Sequence, residues 1–387
     1  MRCLILEYLI LLVMNKKIKI VTVAGTRPEL IRLSRVIDIL DKNLKHVLIH
    51  TGQNYDYELN EIFFKDLSIR KPDYQLKIKN ETPVGGISST LKEVDIILRK
   101  ENPDAFLVLG DTNSCLSAYS AKRLKIPVFH IEAGNRCYDQ RVPEEINRKI
   151  IDHLSDINIT YSEIAKQNLL RENFDPDKIF KIGSPLGEVF NFYKLKILKS
   201  NVLKKNNLTK KKYFLLSVHR EENIDSDINI NKLIILLRKL NEEYSEKIIF
   251  STHPRTMLKL NNFNLKNLNR IQFLKPFSYT DYMFLQKNAK IVLSDSGSIT
   301  EEASILGFDA INLRSTNERQ EGMSFGTVPM SGFEFEKIQI LINFLKKNKH
   351  TNFVNDYISP NFSMIFFKIL ISYIDYIKEY TWKINKN

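Results

Sequence analysis

The sequence predicts an α/β protein with two doubly wound, Rossmann-like domains facing a shared cleft. Short apolar runs alternate with amphipathic stretches, as expected for parallel sheets covered on both faces. The alternation breaks at a polar stretch, residues 199–212, and then restarts. The length of 387 residues also exceeds what one hydrophobic core usually serves.

In the first half, apolar runs at 18–24, 45–50, 105–109, 128–131, 157–160 and 179–182 read as strands. Helices are predicted over 29–40, where Leu30, Leu33, Ile37 and Leu40 share a face, and over 83–98, with Pro83 in its first turn. Further helices fit 113–124, 143–154 and 162–171, and another follows Gly183-Ser184-Pro185. The second half repeats the pattern with strands at 213–218, 247–251, 271–274, 291–293 and 310–313. Its helices fall at 228–240, 279–286 and 299–306, followed by 334–347 and a long terminal one over 362–380. The expected division is 14–186, 187–360, and a terminal helix in 361–387 that packs back on the first domain.

Residues 1–13 form an apolar extension too short to span a bilayer. Only Arg2 precedes the run, Glu7 interrupts it, and no small-residue cleavage site follows, so a misplaced start before Met14 is the favoured reading.

Composition narrows the function. Hydrophobic residues make up 43% and charged residues 27%, ordinary for a soluble globular chain. The net charge of +13 comes from lysines spread along the chain, with no aromatic-interleaved basic groove, so neither nucleic acid nor membrane is an expected partner. Three cysteines without a CxxC pair give no disulfide framework and no zinc site, which fits a reducing, cytoplasmic compartment. Metal binding at His219 and His253 lacks a supporting carboxylate–histidine spacing, so no metal is expected.

Open parallel sheets bind ligands beyond the C-terminal ends of their strands, and the unusual strings sit there. Gly25-Thr26-Arg27-Pro28-Glu29 follows the first strand, where a tight turn and a helix start suit an anion, with Arg27 as a phosphate contact. A plain strand-to-helix turn reads equally simply, and no GxGxxG fingerprint is present. Asp111, in Gly110-Asp111-Thr112-Asn113-Ser114, can cap a helix or face the crevice as a base. In His130-Ile131-Glu132-Ala133-Gly134, alternation sends His130 and Glu132 to one side, with Arg136 just beyond. Pro143-Glu144-Glu145-Ile146-Asn147-Arg148 opens a helix whose glutamates suit its positive end, with Asn147 and Arg148 as a surface pair in the plain reading. Asp111, Glu132 and Glu144 share one rim, as a set of acids and bases would.

The second half supplies His219-Arg220-Glu221-Glu222-Asn223 and His253-Pro254-Arg255 at strand ends. Ser294-Asp295-Ser296-Gly297-Ser298 can cradle a phosphate or simply start a helix. Glu302, one turn in, could accept both hydroxyls of a ribose, and Arg319 could reach the same phosphates or be solvated.

Together and in this order, these strings resemble the non-hydrolysing UDP-N-acetylglucosamine 2-epimerase family over residues 16–347. The resemblance implies a GT-B-like fold, a UDP-linked amino sugar in the cleft and a homodimer. It implies Asp111, Glu132, Glu144 and His219 as the catalytic set. Arg27, Ser296, Gly297, Ser298, Glu302 and Arg319 would hold UDP, and Arg32, Arg136 and His253 would complete the substrate contacts. No cofactor is implied. Within the family, Glu29-Leu30-Ile31-Arg32-Leu33-Ser34-Arg35, Gly52-Gln53-Asn54-Tyr55-Asp56, Gly134-Asn135-Arg136-Cys137-Tyr138-Asp139-Gln140-Arg141 and Glu321-Gly322-Met323 resemble the branch that makes UDP-N-acetyl-L-fucosamine. Its substrate is UDP-2-acetamido-2,6-dideoxy-L-talose, and its products serve capsule or O-antigen. Enzymes acting on UDP-GlcNAc usually carry lysine where Arg32 stands, and a Gln-His-x-x-Met string, part of an allosteric site, where Gln53–Tyr57 stands.

Two rivals share the fold or the pocket. A glycosyltransferase would carry an acceptor groove and fewer carboxylates on the first rim. A hydrolysing 2-epimerase would release free sugar and UDP.

Overall fold

The computed structural model describes residues 18–52, 66–78, 82–348 and 353–384. The 1–13 extension and Gln53-Asn54-Tyr55-Asp56 lie outside the described residues.

The first domain runs β1 (Lys19–Ala24), α1 (Arg27–Asn43), β2 (Lys45–His50), β3 (Tyr74–Gln75), α2 (Pro83–Glu101) and β4 (Ala105–Leu109). A 3₁₀ turn (Asn113–Ser117) leads into α3 (Ala118–Arg123), then β5 (Val128–Ile131), α4 (Pro143–Leu154), β6 (Ile157–Thr160), α5 (Glu163–Arg171) and β7 (Ile179–Lys181), and α6 (Pro185–Leu198) spans the expected boundary between the domains. The second domain runs α7 (Val202–Lys205), β8 (Tyr213–Ser217), α8 (Glu221–Ile224), α9 (Asp227–Glu243), β9 (Lys247–Ser251), α10 (Pro254–Leu260), β10 (Ile271–Leu274) and α11 (Tyr279–Asn288). It continues with β11 (Ile291–Ser294), α12 (Ile299–Leu306), β12 (Ala310–Asn312), α13 (Gln320–Ser324) and α14 (Phe335–Lys347), and α15 (Phe362–Tyr376) follows.

The seven strands of the first sheet are ordered β3-β2-β1-β4-β5-β6-β7 and the five of the second β10-β9-β8-β11-β12. Every pairing is parallel. The strand order reverses between β1 and β4 in one sheet and between β8 and β11 in the other. Crevices open at such points, beyond the strand ends, and the turns carrying Gly25, Asp111, His219 and Ser296 leave from those four strands, with those carrying Glu132 and His253 on the neighbouring β5 and β9.

The local causes are readable. Pro28 lies in the first turn of α1, and Thr26 with Glu29 forms a capping box around its start. Thr82 Oγ1 accepts from the Gly85 N–H to begin α2, which ends on Asn102 at φ +43°. All five residues of β4 are buried, as a central parallel strand requires. The single helix expected over 113–124 is divided: Asn113–Ser117 is a 3₁₀ turn, where Ser117 Oγ bonds back to Ser114 O at 2.6 Å. Short polar side chains compete for the backbone in this way and tighten the turn. The long terminal helix continues past Tyr376 as a π-helical turn, Ile377–Thr381.

α15 crosses back to the first domain. Phe366 meets Phe129 edge-on with ring centroids 6.4 Å apart, and Phe362 meets Tyr161 at the same separation. One apolar cluster therefore runs from α1 and β5 through α15 and on to Tyr279, Met283 and Ile299 of the second domain. Among the described residues, no helix is long and apolar enough to cross a membrane.

Candidate active site

The lip formed by the first domain is built on close backbone approach. A Cβ on Gly25 would lie 2.0 Å from Ser114 Oγ and 2.3 Å from Thr51 Oγ1, so only glycine fits where the turns after β1 and β4 meet. Glu29 ties those turns together. Its carboxylate accepts from Gly25 N at 3.1 Å, Thr26 N at 2.7 Å, Thr26 Oγ1 at 2.6 Å and Thr112 Oγ1 at 3.0 Å. Burial pushes it up to about 7, against these donors.

Arg27 extends from this lip to the second domain and donates to Phe277 O at 3.1 Å. Burial lowers its guanidinium to about 10, opposed by nearby Tyr282, Glu302 and Asp66. Asp111 accepts from Arg148 Nε at 2.7 Å, and Asn147 Nδ2 holds its backbone carbonyl at 2.9 Å. Glu144, at the start of α4, is 3.3 Å from Arg220 Nη1. Burial raises its pKa, reinforced by the charge of Asp111 and offset by Arg220.

Glu132 departs from the expected alternation. It sits at φ +75°, while β5 ends at Ile131. His130 turns to Gly110 O at 2.8 Å, whereas Glu132 meets Arg319 Nη2 at 2.7 Å and Arg32 Nε at 3.4 Å. A left-handed conformation at a non-glycine residue costs of order 1–3 kcal/mol and persists where the surroundings over-determine it, often at functional sites.

The opposite lip centres on Asp295. This buried carboxylate accepts from His219 N at 3.1 Å, Arg220 N at 3.0 Å and Asn223 Nδ2 at 3.0 Å, and its Oδ1 lies 3.3 Å from His219 Nδ1. Partial desolvation lowers the His219 pKa, against the pull of Asp295. Ser298 occupies the first position before α12, and its hydroxyl lies 2.9 Å from that of Ser296 and donates to Glu302 at 2.7 Å. Gln286 Nε2 donates to the other Glu302 oxygen at 2.6 Å, and burial raises the Glu302 pKa. A Cβ on Gly297 would stand 2.1 Å from Glu318 Oε1 and 2.8 Å from Arg220 Nη2.

Across the domains Glu132 meets Arg319, Arg32 meets Glu301, Glu144 meets Arg220, and Asp111 reaches Glu318 through Arg148, while the charge of Arg27 acts on Glu302 and His219. Arg32 and Arg319 both reach Glu301, at 2.8 and 2.7 Å. Arg319 Nη1 and Arg220 Nε are buried donors without a hydrogen-bond acceptor among the described residues, and such atoms suit an anion. His253 caps α10 on the neighbouring strand end, with its Nδ1 accepting from Arg255 N at 3.3 Å.

Arg136 is a correction. It is 1% exposed and bound to Asp152 at 2.7 Å and Glu172 at 2.6 Å, so its guanidinium braces the scaffold rather than the cleft. The turn after β5 causes this: Gly134 adopts φ +82°, with space for a Cβ taken by Ala165 O at 2.2 Å, and the chain drops against α5. Sequence reasoning also read Arg148 as half of a surface pair, whereas it is buried among Asp111, Glu145 and Glu318. It assigned no role to Glu301 or Asp295. The density of charge inside the quoted strings was the available signal. Among the described residues, no group of three or more His, Cys, Asp or Glu side chains could hold a metal ion.

Two parallel α/β sheets with opposed switch points, acids on one lip and a serine–glycine turn on the other, define a GT-B-like enzyme. The chain belongs to the UDP-N-acetylglucosamine 2-epimerase family, whose profile matches residues 39–370, and is therefore an isomerase. It is 38% identical over 349 residues to the UDP-N-acetylglucosamine 2-epimerase of Methanocaldococcus jannaschii, covering 88% of this chain and 95% of that one. Among solved structures, it is similar to UDP-N-acetylglucosamine 2-epimerase from Rickettsia bellii, with TM-score 0.88, 48% identity and coverage of 95% and 99%. The M. jannaschii UDP-GlcNAc 2-epimerase in complex with UDP-GlcNAc and UDP superposes with TM-score 0.87 at 36% identity, covering 92% and 100%.

Proposed function

We propose that the chain inverts carbon 2 of a UDP-linked 2-acetamido sugar by eliminating UDP and adding it back. The observation that carries this reading is the placement of Asp111, Glu132 and Glu144 on one lip, opposite the Ser296–Gly297–Ser298 turn and His219. The carbon 2 hydrogen is not next to a carbonyl and is too weakly acidic for direct removal. As the bond from carbon 1 to the UDP oxygen breaks, positive charge builds at carbon 1 and the proton becomes removable. A carboxylate takes it, carbons 1 and 2 become doubly bonded, and a 2-acetamido-glycal stands beside UDP. A protonated group on the opposite face then returns a proton to carbon 2 while UDP re-adds at carbon 1. No electrons are gained or lost.

Asp111 and Glu132 form the acid–base pair, with Glu144 completing the set. His219 assists the leaving diphosphate, and Arg27, Ser296, Gly297, Ser298, Glu302 and Arg319 hold UDP. Each positioned acid or base contributes about 10²–10⁴-fold, and cations at the diphosphate add electrostatic stabilisation. Domain closure excludes water, which would otherwise trap the intermediate.

For the sugar, we propose UDP-2-acetamido-2,6-dideoxy-L-talose, giving UDP-N-acetyl-L-fucosamine for capsule or O-antigen. Arg32 and the 134–141 string support it. The names of the relatives favour UDP-GlcNAc as the second reading. We assign 14–186 to the acid–base lip and 187–360 to UDP, with 361–387 returning to the first domain, in a cytoplasmic homodimer. An apolar α2–α3 face supports the dimer, with Val84 74% and Tyr119 52% exposed.

Proton NMR in D₂O, with each UDP sugar in a separate tube, tests this. Deuterium at carbon 2 and a new L-fuco anomeric signal are expected from the talose sugar. Turnover of UDP-GlcNAc alone would sink the sugar assignment. Free sugar plus UDP would replace epimerisation with hydrolysis, and silence in both tubes would favour a glycosyltransferase.

A further inference from the structure

We infer that Glu318 is a positioning residue that governs two carboxylates of the proposed catalytic set from the opposite domain, by sharing one arginine with Asp111 and another with Glu144. The inference rests on the proposed reading, in which Asp111 belongs to the acid–base pair and Glu144 completes the set.

Arg148 of α4 places Nε 2.7 Å from Asp111 Oδ2 and Nη2 2.5 Å from Glu318 Oε2, while its Nη1 is 3.0 Å from Glu145. Arg220 places Nη1 3.3 Å from Glu144 and Nη2 3.4 Å from Glu318 Oε1. Neither arginine serves a catalytic carboxylate alone. A cation divided between two carboxylates stabilises the ionised form of each less than a dedicated one would. Glu318 therefore draws positive charge away from Asp111 and Glu144.

Two further arginines face Glu318: Arg314, after β12, lies 3.2 Å from Oε2, and Arg319 adds another positive charge. Arg148 first, then Arg314, Arg220 and Arg319, keep the Glu318 pKa well below the usual carboxylate range despite burial. Around Glu144 the charged groups are Asp111, Arg220 and Glu318, and after burial the two carboxylates push its pKa up while Arg220 pulls it down. Glu144 thereby holds a proton more readily than an ordinary glutamate, beside an arginine. The absent side chain of Gly297 admits Glu318, whose Oε1 stands 2.1 Å from where a Cβ would be.

Removing the charge of Glu318 releases both arginines. If Glu144 acts in its protonated form, the basic limb of the pH–kcat profile falls to lower pH. Glu318→Gln is expected to shift that limb down by about one pH unit, with KM changed less than threefold. Glu318→Asp, which keeps the charge, should retain the wild-type limb. Arg314→Gln covers the case in which Glu318→Gln fails to fold. It removes a cation that touches neither Asp111 nor Glu144, leaves Glu318 less compensated, and should move the limb up.

The profiles are measured by carbon 2 deuterium incorporation with whichever UDP-2-acetamido sugar the wild type turns over. Profiles that superimpose on the wild type, or a loss equal at every pH, would overturn the positioning role. Asp111→Asn separates the two readings: full activity in that variant would sink the acid–base assignment itself, whereas an inactive Asp111→Asn with an unmoved Glu318→Gln limb would sink only the role of Glu318.

Discussion

Arg319 of the second domain donates to Glu132 of the first at 2.7 Å, and Glu132 holds φ +75° at that contact. The same Nη2 is 2.7 Å from Glu301. One guanidinium thus fixes Glu132 to the second domain, and the contact helps offset its backbone strain. Lysine offers a point charge on a flexible stem and cannot reproduce the planar fork. Arg319→Lys is expected to lower kcat by about 10²-fold, with a smaller rise in KM. Steady-state kinetics decide the matter, and a change below threefold in kcat would count against this role.

Gly297 is closely packed in the second lip. Its missing Cβ leaves room for Glu318 and Arg220, which an added methyl would meet at 2.1 and 2.8 Å. Both are held by further ion pairs, so neither can swing away without breaking one. Gly297→Ala should therefore disturb the turn that would hold the diphosphate. A rise in KM of about tenfold or more, near 1.4 kcal/mol, is expected, and titration of UDP by calorimetry should show a matching loss of affinity. Unchanged UDP binding would show that the turn relaxes freely.

The strand-end strings were legible because a parallel sheet sends every loop of one kind to one edge. Gly25, Asp111, His219 and Ser296 reach the cleft for that reason. Arg136 misled because the left-handed residues Glu132 and Gly134 redirect the turn after β5, and positive φ at glutamate has no sequence signature. The pairing of Arg148 with Glu318 spans 170 residues, and periodicity carries no information about which charge meets which across a cleft. Asp295 was visible within its serine-rich string, but its work on the His219 loop required the geometry.

That work gives a third prediction. Asp295 is buried and accepts from two backbone N–H groups and the Asn223 amide. Asn at this position would turn an NH₂ group toward donors, leaving buried groups unpaired at about 1–3 kcal/mol each. It would also remove the charge beside His219 Nδ1 that favours a proton there and leaves Nε2 to the substrate. Asp295→Asn is expected to lower the melting temperature and to cut kcat more than tenfold. A variant that is less stable yet fully active would confine Asp295 to holding the loop.

The last prediction concerns Glu29, whose pKa burial raises to about 7. A carboxyl with a raised pKa binds its proton more tightly in the folded chain than in the unfolded one. Its favourable contribution is full below the ordinary carboxylate value and is lost as pH rises toward 7. Across that window the wild type should lose on the order of 3 kcal/mol relative to a chain without this group. Glu29→Gln cannot titrate. Gln also places an NH₂ group among the donors from Gly25, Thr26 and Thr112, so it begins less stable at low pH. The difference between the two chains should therefore narrow from pH 5 to pH 8. Denaturant melts of both proteins across that range measure it. A difference that widens with pH would mean that the four donors hold Glu29 ionised, and that its charge, rather than its proton, secures the turns after β1 and β4.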